Sequence, residues 1–122
     1  MTIWMLVPDR RLAEMMTRAL CEAGHDVRRV ESVGTLRQGA PLASDLVVVD
    51  LSFAAEGTDT GLIALRGLDP RPRVLALSDR FALHERIVAA EHAAEACLPK
   101  PFYAHELLGI VSRIATDPAS PR

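Results

Sequence analysis

The chain has 122 residues, 49% hydrophobic and 25% charged, with a formal net charge of −2. That is one domain of ordinary size with enough apolar content for a core, which excludes a disordered chain. No basic block marks a nucleic-acid surface, no apolar run approaches the ~18 residues that span a bilayer, and no leader pattern is evident, so a cytoplasmic setting is expected.

Ile3-Trp4-Met5-Leu6-Val7 reads as a first strand leading into Asp9, with Trp4 in the core. Leu12, Met15, Met16, Ala19, Leu20 and Ala23 then recur at helical spacing, with Gly24 as the stop signal. Met5, Met15 and Met16 are expected to fill core space, and Cys21 and Cys97, which have no CxxC or metal spacing, are expected to be small buried hydrophobes. A short edge strand spans about 27–30, with alternating arginines on a solvated face. Ser32 is placed to cap a short helix over 32–40 that buries Leu36. After the break at Pro41, Leu46-Val47-Val48-Val49-Asp50 is a continuous β-branched run, the mark of a strand buried on both faces.

Residues 51–60 read as a loop, in which Glu56 and Asp59 are expected to be solvated. Gly61 to Leu68 reads as a helix with Leu62, Leu65 and Leu68 inward, ended by Asp69-Pro70-Arg71-Pro72. Val74-Leu75-Ala76-Leu77 is a fourth strand leading into Ser78. A helix follows near 81–93, then a short strand Ala96-Cys97-Leu98 leading into Lys100. A last helix over about 104–115 buries Leu107, Leu108, Val111 and Ile114. Residues 1–115 thus form one domain, and 116–122 read as a flexible tail or the start of a linker.

Strand and helix alternate five times, so the expected fold is α/β, a doubly wound five-stranded parallel sheet with five helices on both faces. Right-handed crossovers with one reversal give the order 2-1-3-4-5. The ligand crevice of such a sheet lies at the strands' C-terminal ends, where Asp9, Asp50, Ser78 and Lys100 are expected to gather.

Their types suggest phosphoryl transfer. Paired carboxylates, Asp9 and Asp50, suit a hydrated Mg²⁺. Asp50 is a candidate nucleophile, Lys100 a charge for a phosphoryl oxygen, and Ser78 a hydroxyl donor. Singly, each has an ordinary role: Asp9 could cap a helix, Lys100 could pair with Asp50, Ser78 could end a strand. The four histidines, His25, His84, His92 and His105, share no metal spacing and are expected to be solvated. Dinucleotide, P-loop and nucleophile-elbow glycine motifs are absent from the sequence, which argues against a nucleotide-binding enzyme or a hydrolase.

These residues resemble the receiver domain of two-component response regulators, a flavodoxin-like fold, over about residues 2–115. Leu98-Pro99-Lys100-Pro101-Phe102 is similar to the family's Lys-Pro-Phe signature. The resemblance implies Asp50 as phosphoacceptor, Lys100 as the family's lysine with a cis bond to Pro101, and Ser78 as the switch hydroxyl. It also implies Mg²⁺ on Asp9, Asp50 and the backbone carbonyl of Ser52. A histidine kinase or phosphotransfer protein would be the donor, and self-dephosphorylation the nearest thing to enzymatic turnover. The fourth helix, fifth strand and last helix would form the partner or dimer face, with His84, Glu85, His92, Glu95, Tyr103, His105 and Arg113 on it. An output domain beyond the tail is compatible with this reading.

The sequence also departs from the family. Pro8 stands where a first acid is expected, so Asp9, Asp50 and Lys100 carry a formal −1 rather than −2. Mg²⁺ binding and phosphorylation are therefore expected to be weak and slow, with Glu56 and Asp59 of the loop as the alternative source of the missing acid. Cys97 replaces the switch aromatic, Asp79 replaces a small residue after Ser78, and the loop after Asp50 is three residues longer. The leading expectation stays a receiver phosphorylated on Asp50, and these departures add weight to the alternative, a phosphorylation-independent pseudo-receiver used as an interaction or dimerisation module.

Overall fold

A computed structural model describes residues 1–51, 60–79 and 94–116. Five parallel strands form one sheet: β1 (Thr2–Leu6), β2 (Asp26–Arg29), β3 (Leu46–Asp50), β4 (Arg73–Asp79) and β5 (Ala96–Lys100). Their order is β2-β1-β3-β4-β5, the expected doubly wound, flavodoxin-like arrangement. Four helices lie among the described residues: α1 (Arg10–Glu22), α2 (Val33–Gln38), α3 (Thr60–Arg66) and α4 (Ala104–Thr116). The helix expected near 81–93 and the tail after Thr116 fall outside them. No helix of the described residues is long and apolar enough to cross a membrane.

Strand alternation divides the core between two faces. Ile3, Met5, Leu46, Val48, Leu75 and Leu77 face α1 and α4, meeting Met16, Leu20, Leu107 and Val111. Trp4, Val47, Val49, Val74 and Ala76 face α2 and α3, meeting Leu36, Leu62 and Leu65. β3 is buried along its whole length because it sits mid-sheet with helices on both sides, as its unbroken apolar run requires. β2, at the edge, is largely exposed.

Helix ends follow the expected signals. Ser32 accepts a hydrogen bond from Thr35 N at 3.1 Å as the cap of α2. Gly24 has φ +94°, the left-handed turn after α1 that glycine adopts without steric cost. Three expectations change. The buried stripe of α1 is Ala13, Met16 and Leu20, so Met15 turns to solvent, 36% exposed. One helical position spans ~100°, and the inward seam is narrower than the sequence stripe. Cys21, one position past Leu20, is likewise exposed rather than buried. His25 is half-buried, with its Nδ1 covered and without a hydrogen-bond partner.

The end of the sheet away from the crevice is tied by two polar groups. Trp4 Nε1 donates to Asp45 Oδ2 at 3.0 Å, and Leu42 N donates to the same oxygen at 2.9 Å. Arg73 donates to the carbonyls of Ile114 and Ser44, linking α4 to the turn before β3. The Trp4 and Leu42 donors give the buried carboxylate of Asp45 its partners.

Candidate functional site

The C-terminal ends of β1, β3, β4 and β5 bring the candidate residues to one edge. Asp50 is the last residue of β3, and its Cα partner in β4 is Leu77. In β5 the ladder pairs Pro99 with Ser78 and Lys100 with Asp79. The Asp50 side chain has no exposure, and that of Lys100 is 17% exposed. Burying the carboxylate requires a partner. Lys100 Nζ supplies one, donating to Oδ1 at 3.1 Å and to Oδ2 at 2.9 Å. The same ammonium lies 3.9 Å from Asp79 Oδ1, on a side chain that is 62% exposed.

Ser78 is fully buried. Cys97 Sγ donates to Ser78 Oγ at 3.5 Å. The ladder explains the contact: Cys97 pairs with Ala76, so Ser78, two residues on, points to the same face. Lys100–Pro101 is cis, as the resemblance implies, and Asp69–Pro70 is also cis, which the sequence reading did not anticipate.

Asp9 lies beyond the end of β1, whose Leu6 pairs with Val49 of β3. It is exposed and caps α1, with Oδ1 accepting from Leu12 N at 3.2 Å. Both ordinary roles, a capping Asp9 and a lysine paired with Asp50, are therefore present. They do not conflict with ligand binding, because a carboxylate has lone pairs for more than one partner. Ser52, Phe53, Glu56 and Asp59 lie outside the described residues.

Asp9 and Asp50 are carboxylates, a donor type that suits a hard cation keeping several waters. Among the described residues no group of three His, Cys, Asp or Glu side chains is arranged to hold a metal.

Two contacts here were not legible as contacts. Asp79 was visible in sequence as an extra charge, but its place on Lys100 follows from the β4–β5 register. The pairing of Cys97 with Ser78 follows from the same register. A signal for both exists, since parallel strands ending at 79 and 100 bring these residues side by side.

On the exposed side of β5 and α4, Tyr103 is 73% exposed and its ring stacks on His105, with centroids 5.6 Å apart. His105 and Arg113 are also exposed and Glu95 is half-buried, whereas His84, Glu85 and His92 lie outside the described residues.

No protein-family model matches the chain. It is 34% identical over 118 residues to the DNA-binding transcriptional regulator NtrC of Rhizobium meliloti (strain 1021), a match covering 96% of this chain and 24% of that protein. It is 31% identical over 121 residues to NtrC of Azospirillum brasilense, covering 98% and 25%. The chain thus spans about a quarter of the length of the curated relatives it matches. Among solved structures, the non-phosphorylated HemR receiver domain from Leptospira biflexa superposes with a TM-score of 0.82, covering 99% of this chain and 98% of that one. At 20% identity that likeness is one of fold.

Proposed function

The chain belongs to the receiver domains of response regulators, and on that premise we propose that Asp50 accepts a phosphoryl group from a histidine kinase or phosphotransfer protein. One observation carries the reading. A fully buried carboxylate sits at the C-terminal edge of the central strand, with both oxygens held by one lysine.

In the proposed step an Asp50 oxygen attacks phosphorus. An O–P bond forms as the donor's N–P bond breaks, and the electron pair leaves on the donor imidazole. The product is an acyl phosphate. Lys100 then turns its ammonium to a phosphoryl oxygen, and Ser78 offers its hydroxyl to another. Mg²⁺, held weakly by Asp9, Asp50 and the backbone carbonyl of Ser52, would neutralise charge on the phosphoryl oxygens. The chemistry is signalling rather than metabolic turnover. Its readout would be the face of β5 and α4, where Tyr103, His105 and Arg113 stand exposed. The relatives are DNA-binding transcriptional regulators four times as long, so this domain would act as the input part of such a protein in the cytoplasm.

A phosphorylation-independent module is the second reading. It is favoured by Pro8 in place of an acid and by Asp79 on Lys100. The discriminating experiment is incubation with acetyl phosphate and Mg²⁺, read by intact mass. Acceptance predicts the mass of one phosphoryl group on the wild type and none on Asp50→Asn. An unchanged wild-type mass, with no amide shift near Asp50 on adding beryllofluoride, would select the module.

A further inference from the structure

Three charges run from the interior to solvent at the end of β4 and β5. Side-chain exposure rises from 0% at Asp50 through 17% at Lys100 to 62% at Asp79. One ammonium serves both carboxylates, at 2.9 Å from Asp50 Oδ2 and 3.9 Å from Asp79 Oδ1. The arrangement is built into the ladder, because Asp79 and Lys100 are direct Cα partners. Their backbones are fixed by sheet hydrogen bonds, so the two side chains are held at the same level of the crevice.

We propose that Asp79 is a positioning residue for Lys100 that slows the loading of Asp50 with a phosphoryl group. This deepens the reading of Asp50 as acceptor and rests on it. Two physical effects act in the same direction. A phosphodonor is an anion, and a carboxylate on the solvent side of the lysine lowers its local concentration. After transfer, Lys100 must move its charge to a phosphoryl oxygen, and Asp79 competes for that charge at every stage. Asp79 is well hydrated, so its hold is modest. Removing its charge should speed loading ~5-fold, which is about 1 kcal/mol at 1.36 kcal/mol per tenfold.

The test uses the whole chain with acetyl phosphate and Mg²⁺, comparing wild type with Asp79→Asn, Asp79→Ala and Asp79→Glu. Asn and Ala should label ~5-fold faster, and Glu should return to the wild-type rate. The advantage of Asn over wild type should shrink as added salt screens the charge. A merely structural role for Asp79 predicts neither the Glu rescue nor the salt dependence. Asp26→Asn, at the other end of the sheet, should leave the rate unchanged. Labelling of Asp79→Asn where wild type resists would also support the proposal. Equal rates in wild type and Asp79→Asn would overturn it while leaving Asp50 as acceptor. Absence of label in every variant would remove both.

Discussion

Replacing Lys100 by Met should destabilise the domain far more than replacing Asp50 by Asn, although both break the same ion pair. Lys100→Met keeps an unbranched side chain and removes the ammonium that holds both oxygens of Asp50. The carboxylate has no solvent exposure, so its charge stays in a low-dielectric setting. Removing one partner of a buried pair costs ~3–5 kcal/mol, and the 17% exposure of Lys100 lets some water reach the site, so about 3 kcal/mol is expected. For a domain with ~5–15 kcal/mol of total stability this is a large share, and it corresponds to a fall in Tm of roughly 10 °C. Asp50→Asn leaves the ammonium, which reaches water and has Asp79 3.9 Å away. That variant should cost about 1 kcal/mol or less, in the range of an exposed pair. Adding Asp50→Asn to Lys100→Met should restore most of the loss, giving a coupling of ~2–3 kcal/mol in the double-mutant cycle. Urea unfolding followed by the fluorescence of the single tryptophan, Trp4, measures all four species. A cost below ~1 kcal/mol for Lys100→Met, or equal costs for the two single variants, would refute the claim that Asp50 is the desolvated member.

Two further predictions concern packing and pH. A Cβ on Gly39 would lie 2.5 Å from Trp4 Cη2, against a ring that is 5% exposed and tied to Asp45. Gly39→Ala should therefore cost ~1–3 kcal/mol, whereas Gly109→Ala, in α4 with open space around it, should gain up to ~1 kcal/mol. Urea midpoints that rank the two the other way would contradict the packing. His25 is held below its ordinary value of 6.5, first by burial and then by the positive Met1 amine. The unfolded chain then binds the proton more readily, so this contribution is complete above 6.5 and is lost as pH falls through the lowered value. Unfolding free energy should drop as pH falls below 6.5, less steeply in His25→Gln; parallel curves for the two proteins would defeat the assignment.

The fold was legible because its signals are local. Short, β-branched, unbroken runs such as Leu46 to Asp50 read as interior strands, and the capping serine and the glycine after α1 mark helix ends within a residue or two. The pairing of Asp50 with Lys100 was legible in outline, since both types end strands of one parallel sheet. Contacts set by register were not. Asp45 meets Trp4 across 41 positions, and Arg73 meets Ile114 across another 41. No periodicity within one element predicts which polar group of a distant turn will reach a given donor. The inward set of α1 failed for a different reason. Its apolar residues cover a wider arc than the sheet can bury, so Met15 and Cys21 fall to the solvent side.

The charge at the crevice also reads differently once the register is known. Asp9, Asp50 and Lys100 carry a formal −1, and Asp79 brings the total to −2. That equals the total for a site with an acid at position 8, but the charge now stands on the β4 side of Asp50 instead of the β1 side. Position matters more than the sum. An acid beside Asp9 would add an oxygen to a cation site, whereas Asp79 lies against an ammonium already present. The total charge is the same, but the second negative charge stands against Lys100. On this geometry, Asp79→Asn should change phosphoryl loading through Lys100, while Pro8→Asp, which places a carboxylate next to Asp9, should act on Mg²⁺ affinity.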